Sequence, residues 1–185
     1  MAWIAKPSAS TKIERRDEPY FTEAMQATMR DEYQPRFETN MACILPALHL
    51  IQHAYGWVPK QAMHEIATFL GVKPSDVFDT ATFYEEYWLK PKGKVLISVC
   101  RSIACEFCGQ PDITNAVKQR LNIEVGETTD DDKFTLVELE CIGACGGAPA
   151  ILMGETLHES ITPEQVVEII DQVEKDIDAG KFDHH

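Results

Sequence analysis

The sequence predicts an α/β protein in two parts: a small N-terminal helical bundle, then a small α/β domain. Three observations predict it. Up to about Tyr84 the apolar residues recur at helical spacing, with proline and glycine marking the ends of each run. The run Lys90-Pro91-Lys92-Gly93-Lys94 then breaks the composition. Beyond it come short β-branched runs separated by helical patterns. Residues 1–19 read as a flexible or partner-contacting tail, 20–90 as the bundle, 91–180 as the α/β domain and 181–185 as a second tail.

Taken in order, Phe21–Gln34 is polar and charged and reads as a helix ending before Pro35. A second helix begins near Ala42, with Pro46 tolerated in its first turn; Ile44, Leu48, Ile51 and Tyr55 form one stripe and Gly56 ends it. Pro59 opens a third, with Met63, Ile66, Ala67 and Leu70 on one face and Gly71 as its stop. Pro74 opens a fourth, reaching about Tyr84. Short connections favour antiparallel neighbours. In the second part, Val95–Val99 reads as a buried strand delivering Cys100 at its end. Pro111–Leu121 is a helix with Ile113, Val117 and Leu121 inward, and Thr128–Lys133 an acidic turn. Phe134–Leu139 is a strand delivering Cys141, and Ala150–Met153 a third strand. Thr162-Pro163-Glu164-Gln165 is a capping box, followed by Val166, Ile169, Ile170 and Val173 on one face, with Gly180 closing the helix. The resulting order is β–α–β–β–α.

Five of the six cysteines fall in two clusters, Cys100, Cys105 and Cys108 in VCRSIACEFCG and Cys141 and Cys145 in ECIGACGGAP. A disulfide framework fits poorly, since no secretory signal is evident and an odd number of clustered thiols cannot all pair. A soft metal site or an iron–sulfur cluster needs thiolates in this density. Two readings compete. Cys100, Cys105, Cys141 and Cys145 can hold a [2Fe–2S] cluster with two thiolates per iron. Cys100, Cys105, Cys108 and Cys141 have the plant-type ferredoxin spacing. Zinc is a third option, because Cys105-Glu-Phe-Cys108 is a CxxC, although a zinc ribbon usually has two such pairs. A dithiol oxidoreductase using Cys105 and Cys108 would leave Cys100, Cys141 and Cys145 unexplained.

Composition narrows the function classes. Over 185 residues, 44% are hydrophobic, enough for a sizeable core, and the formal net charge is −13. Such a balance disfavours nucleic acid and anionic membranes as partners and aids solubility. No apolar run reaches membrane-spanning length; Cys43–Ile51 is interrupted by Pro46 and His49. Unpaired thiols suit a reducing cytoplasm. Neither GxGxxG nor GxxxxGK[ST] occurs.

The stretches VCRSIACEFCGQ and ECIGACGGAPAILM resemble the two cluster loops of the thioredoxin-like [2Fe–2S] proteins. These are the small cluster subunit of respiratory complex I (NADH:quinone oxidoreductase) and its relatives in NAD-dependent formate dehydrogenases and hydrogenases. ILPALHLIQHAYGWVP, IATFLGVKPSDVFDTATFYEEYW and LNIEVGETTDDDKFTLVELEC are similar to the same family, so the resemblance runs collinearly from about Cys43 to Val173. Two departures are Cys108, which the family pattern does not require, and Gly146-Gly147, where an asparagine often precedes the Ala-Pro.

The resemblance implies a thioredoxin-like fold for the second part and the ligand set Cys100, Cys105, Cys141 and Cys145, with Cys108 the competing candidate. It implies one [2Fe–2S] cluster, with FMN and NADH on a partner flavoprotein and not on this chain. A [2Fe–2S] cluster moves single electrons, so a flavin must stand between it and a hydride donor. The expected role is electron transfer beside the FMN of complex I, within a peripheral arm of several subunits, cytoplasmic and peripheral to the inner membrane, without turnover by the chain alone. A soluble NAD-dependent formate dehydrogenase or bifurcating hydrogenase is the alternative; a structural zinc adaptor is the alternative outside the class.

Residues around these motifs carry further expectations. Gly143, Gly146 and Gly147 let backbone N–H groups approach the sulfurs. Glu106, Glu138 and Glu140 either lower the reduction potential or are solvated surface charges. Cys43 reads as a small buried residue. His49, His53 and His64 share no ligand spacing. Phe83, Tyr84, Tyr87 and Trp88 read either as core or as a docking surface. His184 and His185 carry no assigned role.

Overall fold

A computed structural model describes residues 16–181. These residues form two compact units, one up to Pro91 and one from Lys92 onward. Residues 1–15, most of the expected N-terminal tail, and residues 182–185, with both terminal histidines, lie outside the described residues.

In the first unit Thr22 caps helix α1, Glu23–Thr28, its Oγ1 accepting the Met25 N–H at 3.3 Å. The helical path does not stop before Pro35. It widens into a π turn over Met29–Tyr33 and tightens into a 3₁₀ turn over Gln34–Arg36. Pro35 sits in the first turn of that last segment, where its missing N–H is not required. A 3₁₀ turn over Asn40–Cys43 leads into α2, Ile44–Tyr55; α3 spans Lys60–Leu70 and α4 Pro74–Phe83. Gly56 and Gly71 end α2 and α3 in the left-handed region, at φ 75° and 67°.

The expected stripes face one core. Ile44, Leu48 and Ile51 from α2, Met63, Ile66 and Leu70 from α3 and Val77 from α4 are buried together. Cys43 is buried among them, as its apolar position predicts. Tyr55 donates to the Tyr20 carbonyl at 3.0 Å. Arg16 is tied to the same unit, its N–H donating to Gln61 Oε1 at 3.0 Å and its guanidinium 4.5 Å from the Tyr20 ring. The aromatic segment divides: Tyr87 is core and donates to the Leu45 carbonyl at 3.1 Å, while Phe83 is 78% exposed. His49, His53 and His64 are all exposed.

The second unit is a four-stranded mixed sheet with helices. Its strands are β1 (Val95–Cys100), β2 (Phe134–Leu139), β3 (Ala150–Met153) and β4 (Thr156–Glu159), in the order β2-β1-β3-β4. β1 and β2 run parallel with Cys100 opposite Leu139; β3 is antiparallel to β1, and β4 to β3. Helix α5 is Ile103–Phe107, α6 Gln110–Leu121 and α7 Pro163–Asp178. Two elements were absent from the expected β–α–β–β–α order. β4 is a short edge strand, largely exposed, with no apolar run to mark it. α5 is too short to show a periodicity.

Alternation along β1 determines what each end does. Val95, Ile97 and Val99 join Phe134, Leu136, Ile151 and Met153 and the inner faces of α6 and α7 in one core. Cys100, one residue out of phase, belongs instead to a small separate cluster with Cys105 and Ala150. Arg120 on α6 pairs with Asp171 and Glu174 on α7 at 2.7 and 2.6 Å. The Thr162–Gln165 capping box starts α7 as expected. Among the described residues no helix is long and apolar enough to cross a membrane.

Candidate metal centre

Parallel pairing brings the C-terminal ends of β1 and β2 side by side, and both cysteine loops leave from there. Cys100 closes β1, and the Arg101 N–H still donates to the Leu139 carbonyl at 2.8 Å. The chain then turns into α5, which carries Cys105 on its buried side. Cys141 stands just past β2; Cys145 begins a 3₁₀ turn, Cys145–Gly147, that leads through Ala148-Pro149 into β3.

Cys105 and Cys141 hydrogen-bond to Cys100, and Cys145 lies near enough for its charge to act on Cys105. Burial would raise the pKa of Cys100, yet that thiol lies below its ordinary value. The N–H groups of Ser102 and Ile142 and the thiols of Cys105 and Cys141 all donate to its sulfur and stabilise the thiolate. Cys105 is pushed up by burial, then by its bond to Cys100 and by the charges of Cys100 and Cys145, against a backbone N–H from Ala150. The Gly143 N–H donates to Cys141 Sγ at 3.3 Å. Cys108 is exposed, like Cys141 and Cys145, and ends α5, its N–H donating to the Ala104 and Cys105 carbonyls, both at 3.1 Å.

The donor set suits an iron–sulfur group. It is all cysteine sulfur, drawn from two loops, with backbone N–H groups already directed at the sulfurs. Cys100 and Cys105 are buried while Cys141 and Cys145 are exposed, so one side is dry and the other faces solvent. Among the described residues, no three His, Cys, Asp or Glu side chains gather tightly enough for a single ion.

The carboxylates near the loops are not equivalent. Glu138 Oε1 accepts from Gln110 Nε2 at 2.9 Å and Thr114 Oγ1 at 3.0 Å, both side chains buried on α6. Arg101 lies 4.0 Å from Glu138 and 3.6 Å from Glu140. Glu106, on α5, is exposed. Arg101, Gln110 and Thr114 were not singled out from the sequence. Only the position of Arg101 beside a candidate cysteine could have drawn attention to it.

The model of the thioredoxin-like [2Fe–2S] ferredoxin family matches residues 29–174. The chain belongs to that family. One [2Fe–2S] cluster is therefore its cofactor, and the four-thiol donor set fits it. Among curated members, the chain is 37% identical over 150 residues to a subunit of the NADH-quinone oxidoreductase of Escherichia coli (strain K12), covering 81% of this chain and 87% of that one. It is 38% identical over 135 residues to the like-named subunit from Buchnera aphidicola, covering 73% and 83%. Crystal structures of an NAD+-reducing [NiFe]-hydrogenase share the fold: a TM-score of 0.62 at 22% identity for the H2-reduced state, and 0.64 at 21% for the air-oxidized state. These matches cover 71% and 76% of this ferredoxin-family chain, but only 22% and 24% of the hydrogenase chains.

Proposed function

We propose that the chain is the electron-transfer subunit that carries one [2Fe–2S] cluster beside the FMN of the NADH-oxidising module of NADH:quinone oxidoreductase. The observation that carries this reading is the convergence of the two cysteine loops at one end of a thioredoxin-like sheet. Identity of 37% to a subunit of that oxidoreductase over most of both chains supports the choice of complex.

In this reading Cys100, Cys105, Cys141 and Cys145 are the ligands. Cys100 and Cys105 hold the buried side, packed against Ala150 and lined by Ile142, Ala144 and Ala148, which exclude water. The N–H groups of Ser102, Ile142 and Gly143 orient sulfur lone pairs and neutralise thiolate charge. When bound, the cluster supplies one-electron storage and release. Hydride chemistry belongs to the FMN- and NADH-binding partner, because this chain has no nucleotide-binding motif. We infer further that the chain is a non-catalytic part of the assembly, cytoplasmic and peripheral to the membrane, docked to the flavoprotein and other subunits of the peripheral arm.

A second reading is the equivalent subunit of a soluble NAD-dependent formate dehydrogenase or bifurcating hydrogenase; the NAD+-reducing hydrogenase shares the fold with this chain and no more. Purification of the intact native complex and identification of its subunits tests both. Co-purification with the quinone-reducing subunits is the expected result; co-purification with a soluble hydrogenase or formate dehydrogenase subunit would select the alternative.

A further inference from the structure

The second cysteine loop lies against the end of the β3–β4 hairpin, and the fit requires a glycine. A Cβ built on Gly147 would stand 2.6 Å from both Cβ and Cδ of Glu159 and would also meet its Oε1. No side chain at 147 can share that space unless Glu159 moves away. The approach is fixed by the backbone. The Ser160 N–H donates to the Gly147 carbonyl at 2.6 Å, the Ile161 N–H donates to the Pro149 carbonyl at 3.3 Å, and Glu159 stands opposite Ala150 in the ladder.

The Glu159 carboxylate is thereby placed over the chain two residues after Cys145. Its electrostatic situation differs from that of the other acids near the loops. Glu138 and Glu140 share the Arg101 guanidinium, and Glu138 also accepts two hydrogen bonds from α6. Among the described residues, Glu159 has no cation within ion-pair distance. A negative charge near a redox centre, with no counter-charge beside it, disfavours the added electron.

We propose that Gly147 and Glu159 act as a pair: the missing side chain at 147 seats the Glu159 carboxylate on the second cluster loop, where it holds the reduction potential down. The proposal rests on Cys145 being a ligand. Glu159 acts through space and through the loop backbone, so it is a tuning residue and not a catalytic one. Since Glu159 is exposed, its influence is screened by salt.

The test is the midpoint potential of the full-length protein, followed by electron paramagnetic resonance at low and high ionic strength. Glu159→Gln keeps the shape and removes the charge. It should leave the resonance spectrum unchanged and shift the potential upward, with the shift shrinking in high salt; Glu159→Asp should stay near the parent value. Gly147→Ala, which evicts the carboxylate, should shift the potential in the same direction, and the double variant should shift it by less than the sum. A Glu159→Gln potential equal to the parent's at low salt, with the cluster intact, overturns the proposal, as does full additivity. Failure of the ligand reading shows separately, as a parent-like spectrum that survives Cys145→Ser.

Discussion

Arg101 and Glu140 face each other across the bases of the two cysteine loops, with Nε 3.6 Å from Oε2. Each adjoins a proposed ligand in sequence, Arg101 following Cys100 and Glu140 preceding Cys141. The same guanidinium also stands 4.0 Å from Glu138, so one cation serves two carboxylates next to the centre. The sequence left these acids either as charges that lower the potential or as solvated surface charges; the shared guanidinium partly compensates Glu138 and Glu140.

Arg101→Gln should therefore lower the midpoint potential, because it leaves Glu138 and Glu140 without their cation while the ligands stay in place. The pairs are exposed on the arginine side, so the stability change should stay within about 1 kcal/mol. Redox titration and thermal unfolding of the same sample separate the two effects. An unchanged potential would show that solvent already screens these charges.

The second prediction concerns ligand choice. Cys145 lies near enough to Cys105 for its charge to act there, whereas Cys108 ends α5 on its exposed side. Cys108→Ser should keep the cluster at full occupancy, and Cys145→Ser should lose it or leave it badly weakened. Iron and sulfide content with electron paramagnetic resonance decides. A spectrum that survives Cys145→Ser and vanishes in Cys108→Ser would establish the plant-type spacing instead.

How far sequence reading reached depended on how local each signal was. β1, β2 and β3 announce themselves as apolar β-branched runs, and their observed ends differ from the expected ones by a single residue, Cys100. The capping box at Thr162 is a four-residue signal and was equally plain. β4 was not, because Thr156–Glu159 is an exposed edge whose existence depends on pairing with β3. α5 is a single turn or so between cysteines and has no periodicity to detect. At the site, the cysteines are conspicuous as residues. The Ser102 and Ile142 N–H groups at Cys100, the hold of Gln110 and Thr114 on Glu138, and the Gly147–Glu159 fit all come from tertiary folding.

Core substitution should act on the sheet that supports both loops. Ile97 is fully buried in the central strand, opposite Leu136 and Met153. Ile97→Ala leaves a cavity there and should cost about 2–5 kcal/mol. Hydrogen exchange should show lost protection along β1 and β2, with amides of the helical unit unaffected. Equal loss in both units would mean that the two unfold together.

Acid should loosen the turn before β2. Thr129 Oγ1 donates to Asp131 Oδ1 at 2.6 Å, and the Lys133 N–H donates to the same atom at 3.1 Å. Chiefly through the Thr129 bond, the Asp131 carboxyl is held below its ordinary value of 3.8. A depressed carboxylate stabilises the fold at pH above its unfolded pKa, and that contribution is lost as pH falls through the folded one. Carboxyl chemical shifts followed by NMR should place Asp131 below the reference aspartate, and Thr129→Val should move it back up. An Asp131 that titrates at the ordinary value would show that the turn is open in solution.

The last prediction concerns the chemistry of the isolated chain. Its cofactor accepts one electron at a time, whereas NADH delivers a hydride, two electrons together. A flavin can take the pair and release it singly, and the chain has no GxGxxG or GxxxxGK[ST] to bind a nucleotide. Purified alone, the protein should not bleach with NADH and should not oxidise NADH with any acceptor, yet dithionite should bleach it if the potential is not too low. With the FMN-bearing partner present, NADH should reduce it to the extent its potential allows. Glu159, by holding that potential down, limits the extent, so Glu159→Gln should be reduced more fully by NADH in the mixture while remaining inert to NADH alone. Optical absorbance under anaerobic conditions reads both halves of the prediction. Rapid bleaching by NADH with no flavoprotein present would locate a flavin or nucleotide site on this chain and remove the need for a partner.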